Sequence, residues 1–190
     1  PAGPAAAPAV GPETLPAAGA APAPAGAPPR RYLLQESYLL PLFEPVPPPD
    51  LAPLWAEAER QLGAFDAACR EADVPWLLLI VPADLQVDPD LRAQVLAGLG
   101  GDAAAFDFDL PQRRLAAFAA ARGVPVLDPL PALRDAHAAD APLYLPANNH
   151  WNERGNRLVG DLLGAAIAGA PPAAGAADAP NIAALRSGSR

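Results

Sequence analysis

The hydrophobic positions along this chain change period several times, and each change marks an element. Between 51 and 72, Leu54, Ala58, Leu62, Phe65, Cys69 and Ala72 recur at spacings of three and four. That spacing predicts an amphipathic helix, with Asp50 as N-cap and Pro53 tolerated in the first turn. Val74-Pro75 breaks it. The period then disappears: 76–81 reads WLLLIV, a continuous apolar run that predicts a central parallel strand covered on both faces. Pro82 ends the strand, which puts 83–88 at its carboxyl end, where ligands bind in open α/β sheets. A helix is predicted over 90–99, stopped by Gly100-Gly101. The 106–110 segment alternates apolar and acidic residues and reads as extended. Another helix is predicted over 112–122, with Pro111 in its first turn, Leu115, Phe118 and Ala119 inward and Gly123 at its end. A second short buried strand is predicted over 124–127, with Asp128 at its carboxyl end, and a short helix over 131–137. The last helix starts at Asn152 or Glu153 and runs to about 168, with Leu158, Leu162, Leu163 and Ile167 on one face.

Strands alternating with helical segments are the mark of an α/β fold with a parallel sheet. Two strands are few: such a sheet has two bare edges and cannot cover its own faces. The expectation is half of a larger α/β domain, with the N-terminal half missing. Uncovered apolar surface leads to a further expectation, self-association through the sheet edge.

Composition adds boundaries. The 27 Pro and 15 Gly cluster toward the two ends. Residues 1–49 read as a Pro/Ala-rich disordered linker containing a short apolar block at 31–43, which could dock as a helical turn. Residues 50–169 read as the folded part and 170–190 as a disordered tail. The chain begins at Pro1 without a Met, so upstream sequence is expected. A net charge of −8 argues against nucleic acid or an anionic membrane as partner. No run of 18 apolar residues is present, so no membrane span is expected. Cys69 falls on the core side of its helix and reads as a buried thiol. Two His and a single Cys argue against a metal site. Asp102, Asp107 and Asp109 fit no calcium-loop spacing, and no cofactor is expected.

The stretch richest in chemistry is LYLPANNHWNERGN, 143–156. It carries His150 at the tip of a Pro/Asn loop that runs straight into a helix. A neutral imidazole held there suits a general base, against the plainer reading of a surface-loop histidine. His137, followed by Ala-Ala-Asp, reads as solvated. Trp151 could wall a sugar site or serve as a core or hinge aromatic. Asp128 could contact His150 or play a capping role.

Four segments in this order resemble the SGNH/GDSL hydrolase superfamily, in its carbohydrate-esterase-like and acyltransferase-related branches: VPADLQV at 81–87, FDLPQRRLAAFAAARGVPVLD at 108–128, LPAL at 130–133 and LYLPANNHWNERGN at 143–156. The resemblance covers about 31–169. It implies a flavodoxin-like three-layer α/β/α fold. It also implies a nucleophilic Ser in a GDS motif, oxyanion donors from later loops, a His base, and an Asp two or three residues earlier that orients the His. His150 matches the base. The orienting position holds Asn148 for a D-x-H spacing or Ala147 for D-x-x-H, and Asn148 is the favoured assignment. The nucleophile does not carry over: Ser37, Ser187 and Ser189 all lack a GDS context. The resemblance therefore implies a serine esterase of acylated small molecules or bacterial cell-envelope carbohydrate, periplasmic or extracellular, present as a fragment without its nucleophile. Two alternatives stand beside it. One is a non-catalytic or degenerate SGNH-like module. The other is an alginate-type O-acetyltransferase, in which the D-x-H motif precedes a Ser on a strand that here would follow Ile167.

Overall fold

The computed structural model describes residues 28–139 and 142–169. Residues 1–27 of the linker expected over 1–49, and the tail expected over 170–190, lie outside the described residues. Seven helices and two strands follow in the order α1 (Arg30–Ser37), α2 (Leu51–Glu71), β1 (Leu78–Leu79), α3 (Asp84–Val87), α4 (Pro89–Leu99), α5 (Leu110–Ala120), β2 (Val126–Leu127), α6 (Leu130–Ala138) and α7 (Glu153–Ala168), counted among the described residues. One 3-10 turn, Leu40–Phe43, follows α1 and another, Ala103–Ala105, precedes α5.

The two strands pair in parallel, with Leu78 opposite Val126 and Leu79 opposite Leu127. The regular ladder is shorter than either apolar run. Proline explains why. Pro125 accepts from Leu78 N–H at 2.9 Å but has no N–H of its own, and Pro82 and Pro129 close the far ends. The Ile80 N–H still reaches Leu127 O at 3.0 Å, so the pairing persists slightly past the strand.

Three apolar clusters surround this short sheet. Ile80, Ala119, Val124 and Val126 form one between the strands and α5. Tyr32, Leu40, Phe43, Leu85, Leu91, Val95 and Phe108 belong to a second, in which α1 and its following turn pack on α3 and α4. Val87, Leu130, Leu133, Leu143, Tyr144 and Val159 form the third, which joins α6 and α7.

Several details differ from the sequence expectation. The segment after β1, for which the sequence pattern predicts no element, forms the one-turn helix α3, whose Gln86 Oε1 accepts from Ala83 N–H at 2.9 Å. The 106–110 segment is extended only at its start; Leu110 already opens α5. The long helix α2 buries less than its periodicity implied. Cys69 is buried, but Leu54 and Phe65 are 63% and 53% exposed. The buried polar residue on α2 is Asp66, which accepts from Arg70 Nε and Trp76 Nε1, both at 3.0 Å. None of the helices among the described residues is long and apolar enough to cross a membrane.

Candidate functional site

The loop that carries His150 is closed by its own backbone. Asn152 N–H donates to Leu143 O at 2.9 Å, Leu145 N–H donates to His150 O at 2.9 Å, and Tyr144 and Trp151 form an antiparallel bridge. The chain reverses between them through Ala147, whose φ of +51° lies in the left-handed region. Asn152 then caps α7: its Oδ1 accepts from Gly155 N–H at 3.0 Å, and its Nδ2 donates back to Pro142 O at 2.8 Å. Gly155 permits this closeness. A Cβ there would overlap the Leu143 carbonyl, well inside van der Waals contact. The segment His150-Trp151-Asn152-x-x-Gly155 is therefore a single packing solution: reversal, cap and close approach.

This frame holds His150 exposed at the tip. Its Nδ1 lies 2.5 Å from Asn148 Oδ1, and the same oxygen accepts from the His150 backbone N–H at 3.0 Å. Two contacts on one atom settle the amide orientation, because the amide nitrogen could not accept from the backbone N–H. The oxygen only accepts, so Nδ1 must carry the proton. In the neutral ring, Nε2 then carries the lone pair. This is the tautomer a general base needs. Ala147, the alternative orienter, has no side chain that could serve.

The remaining sequence candidates lie elsewhere. Asp128 does not meet His150; its Oδ1 accepts from Leu130 N–H at 3.0 Å at the start of α6, and burial raises its pKa. Trp151 packs on the cluster of Leu143, Tyr144 and Val159, as a core aromatic would. Ser37 Oγ donates to Leu34 O at 2.6 Å within α1. Ser187 and Ser189 lie outside the described residues. The solvated reading of His137 needs correction: its side chain is three-quarters covered, with Nε2 3.7 Å from Asp88 Oδ1. The reason is that α6 packs on α3, which turns the position before the Ala-Ala-Asp segment inward. Among the described residues no group of three or more His, Cys, Asp or Glu side chains is placed to hold a metal.

A cavity of about 420 Å³ opens beneath the His150 loop. Leu145, Pro146 and Ala147 form one wall, and Tyr32, Asp84, Asp88 and His137 the other. Sequence reasoning missed the group at its floor. Tyr32 donates to Asp84 Oδ2 at 2.9 Å across 52 residues of sequence. Glu36, one turn along α1, is fully buried, with the Leu85 backbone N–H near its carboxylate but no hydrogen bond of normal geometry to it. Burial, and then the nearby Asp84 charge, pushes Glu36 up to about 7. Burial raises Asp84 to about 6, against the bond from Tyr32. Tyr32 itself is held well above the usual tyrosine range by burial and by Asp84. Tyr144, whose hydroxyl donates to Pro82 O at 2.9 Å, is likewise raised by burial. The signal available in sequence was the position of Asp84 just past the carboxyl end of the first apolar run.

In comparison with known families, residues 43–184 fit the model described as the SGNH hydrolase-like domain of acetyltransferase AlgX. No curated protein and no solved structure matches.

Proposed function

Because the chain belongs to the SGNH hydrolase-like domain family of the acetyltransferase AlgX, we propose that it is an acyl-transfer domain in which His150 is the general base and Asn148 its orienter. The observation that carries this reading is the 2.5 Å contact between His150 Nδ1 and Asn148 Oδ1, with the amide pinned by the His150 N–H. The nucleophile in this reading is a serine supplied from outside residues 28–169. Its hydroxyl attacks the acyl carbonyl and gives its proton to His150 Nε2. The bond to the leaving oxygen then breaks, and the same proton goes to that oxygen. The acyl-serine passes its acyl group to an acceptor hydroxyl, or to water in an esterase, and that proton follows the same route. Carbohydrate hydroxyls of the cell envelope are the proposed acceptors. A flavodoxin-like sheet, completed by further strands, is the proposed setting.

The amide at 148 favours a second reading, a degenerate module that binds but does not turn over. An amide orients imidazole but does not stabilise imidazolium by charge; in a serine protease Asp→Asn at that place costs about 10⁴ in turnover. One experiment separates the two. Acetyl transfer and p-nitrophenyl acetate hydrolysis are measured for the longest natural form of the protein. Catalysis predicts a loss of about 10²–10⁴ for His150→Ala, the range for a missing general base. The present 190-residue chain is expected to show no turnover above the His150→Ala background. No His150-dependent turnover in any form of the protein would leave the degenerate reading standing.

A further inference from the structure

His137 separates two cavities. The one beneath the His150 loop is acidic. The other, of about 460 Å³, lies between α4, α6 and the start of α5, and its charged lining has the opposite balance: Arg92 and Arg134 against Asp109. Both guanidiniums converge on one backbone oxygen. Arg92 Nη2 donates to Gln86 O at 3.0 Å and Arg134 Nε donates to the same oxygen at 2.9 Å, while Arg92 Nε donates to Leu85 O at 3.0 Å. These bonds close the last carbonyls of α3, a structural use. They leave Nη1 of each arginine without a protein partner among the described residues. Two like charges have been brought onto a single oxygen; the carboxylates near them are Asp109, whose Oδ1 lies 2.8 Å from Arg134 Nη2, and Asp88, whose charge also acts on Arg92. Arg92 is held below the usual arginine range, by burial first and by the Arg134 charge second. Among the charged residues that line the cavity itself, two arginines stand against Asp109 alone.

We propose that this pocket binds a small organic molecule through a phosphate group. The argument is one of donors and shape. Two free Nη1 groups and the His137 imidazole offer donors from three side chains on two helices, which suits the three terminal oxygens of a phosphate monoester better than the two coplanar oxygens of a carboxylate. The rest of the lining is mostly apolar, with the Phe108 ring under the Arg92 guanidinium at 4.4 Å from its centroid. The cavity exceeds a free phosphate in size, so it leaves room for an apolar or ring-shaped body against Phe108 and Ala138. The nearby carboxylate Asp88 has Oδ1 committed to Asp90 and Leu91 N–H groups at the start of α4 and makes no hydrogen bond to either arginine among the described residues, although its charge reaches Arg92. The site shares no residue with the His150–Asn148 pair and stands or falls without it.

The test is a titration of the 190-residue chain with phenyl phosphate, inorganic phosphate, benzoate and phenol, followed by amide-shift NMR at constant ionic strength. Phenyl phosphate is expected to saturate, with shifts at α6 and at the start of α5, and to bind at least about tenfold tighter than the other three. Removing either arginine would also loosen α3, so two variants change charge and keep the hydrogen bonds to Gln86. Ala138→Glu sets a carboxylate at the rim and should weaken phenyl phosphate about tenfold with an unchanged melting temperature. Asp109→Asn should tighten it by about threefold. The proposal is overturned by benzoate or phenol binding as tightly as phenyl phosphate, by inorganic phosphate matching it, by the absence of saturation, or by an Ala138→Glu variant that binds as well as the original.

Discussion

Only the last residue of α6 and one loop separate the two histidines of this chain in sequence, and each has a side-chain oxygen near its ring. Only one partner is available. His150 is exposed, and Asn148 Oδ1 spends both of its contacts on that residue, one on the ring and one on the backbone N–H. His137 is largely covered, and the Asp88 Oδ1 that faces it at 3.7 Å already caps α4 through two backbone N–H groups. A negatively charged partner is thus the weaker orienter here, and a neutral amide the stronger, because orientation depends on a free lone pair at short range. The loop with the neutral partner holds the proposed base, and the pocket with the charged one sits beside buried acids.

The most disruptive way to break this contrast is Gly155→Ala. The added Cβ meets backbone, which cannot rotate away, so the His150 reversal and the α7 cap must both give. A loss of about 3 kcal/mol or more is expected in the denaturant midpoint, together with loss of the Nδ1–Asn148 contact in imidazole NMR. The His137 side should keep its shifts. If Gly155→Ala folded with normal stability and an unchanged His150 ring, the close-approach account would be wrong.

Next in size is Glu36→Gln, which acts on the acidic side only. Glu36 is raised to about 7 and Asp84 to about 6 in the folded chain. For a raised carboxyl, the stability it contributes is complete below its unfolded value and is lost as pH rises through the folded one. Unfolding stability should therefore fall between about pH 5 and about pH 8. Glu36→Gln should flatten that slope and be more stable than the original at about pH 8, on the order of 1–3 kcal/mol. A stability that climbs over this range, or a slope the variant leaves intact, would count against the buried-acid account.

The smallest effect, and the most specific, is Asn148→Asp. It places a charge behind the His150 ring at hydrogen-bond range, so the His150 Nδ1–H signal should move downfield in an NMR spectrum, with the His137 ring signals unmoved. Equal shifts at both histidines would show that the two are not separately wired.

The long-range contacts were the part the sequence could not show. The α2 periodicity and the two apolar runs are local signals, and the helix and the parallel pairing followed from them. The length of the strands did not, because Pro125 and Pro82 trim the ladder in ways that depend on the partner strand. Helix α3 spans four residues, too few to carry a period. The His150–Asn148 pair was legible because both residues lie within one short loop. Tyr32 with Asp84 was not, since 52 residues separate them, and Glu36 looked like an ordinary polar position on a short helix. Arg92 and Arg134 likewise meet only through the carbonyl of Gln86. His137 was misjudged because the polar residue after it in sequence said nothing of α3 packed against its helix.

The double tie at Asn152 also bears on motion. Its N–H and side chain hold Leu143 and Pro142 on one side and the first turn of α7 on the other. The loop tip cannot lift while that turn stays wound, so the two share one opening event. In amide hydrogen exchange, the N–H groups of Leu145, Asn152 and Gly155 should then exchange at a common rate, slower than an exposed loop would allow. His150 is presented on a fixed mount, and in the proposed reaction any closing over a substrate would come from another part of the protein.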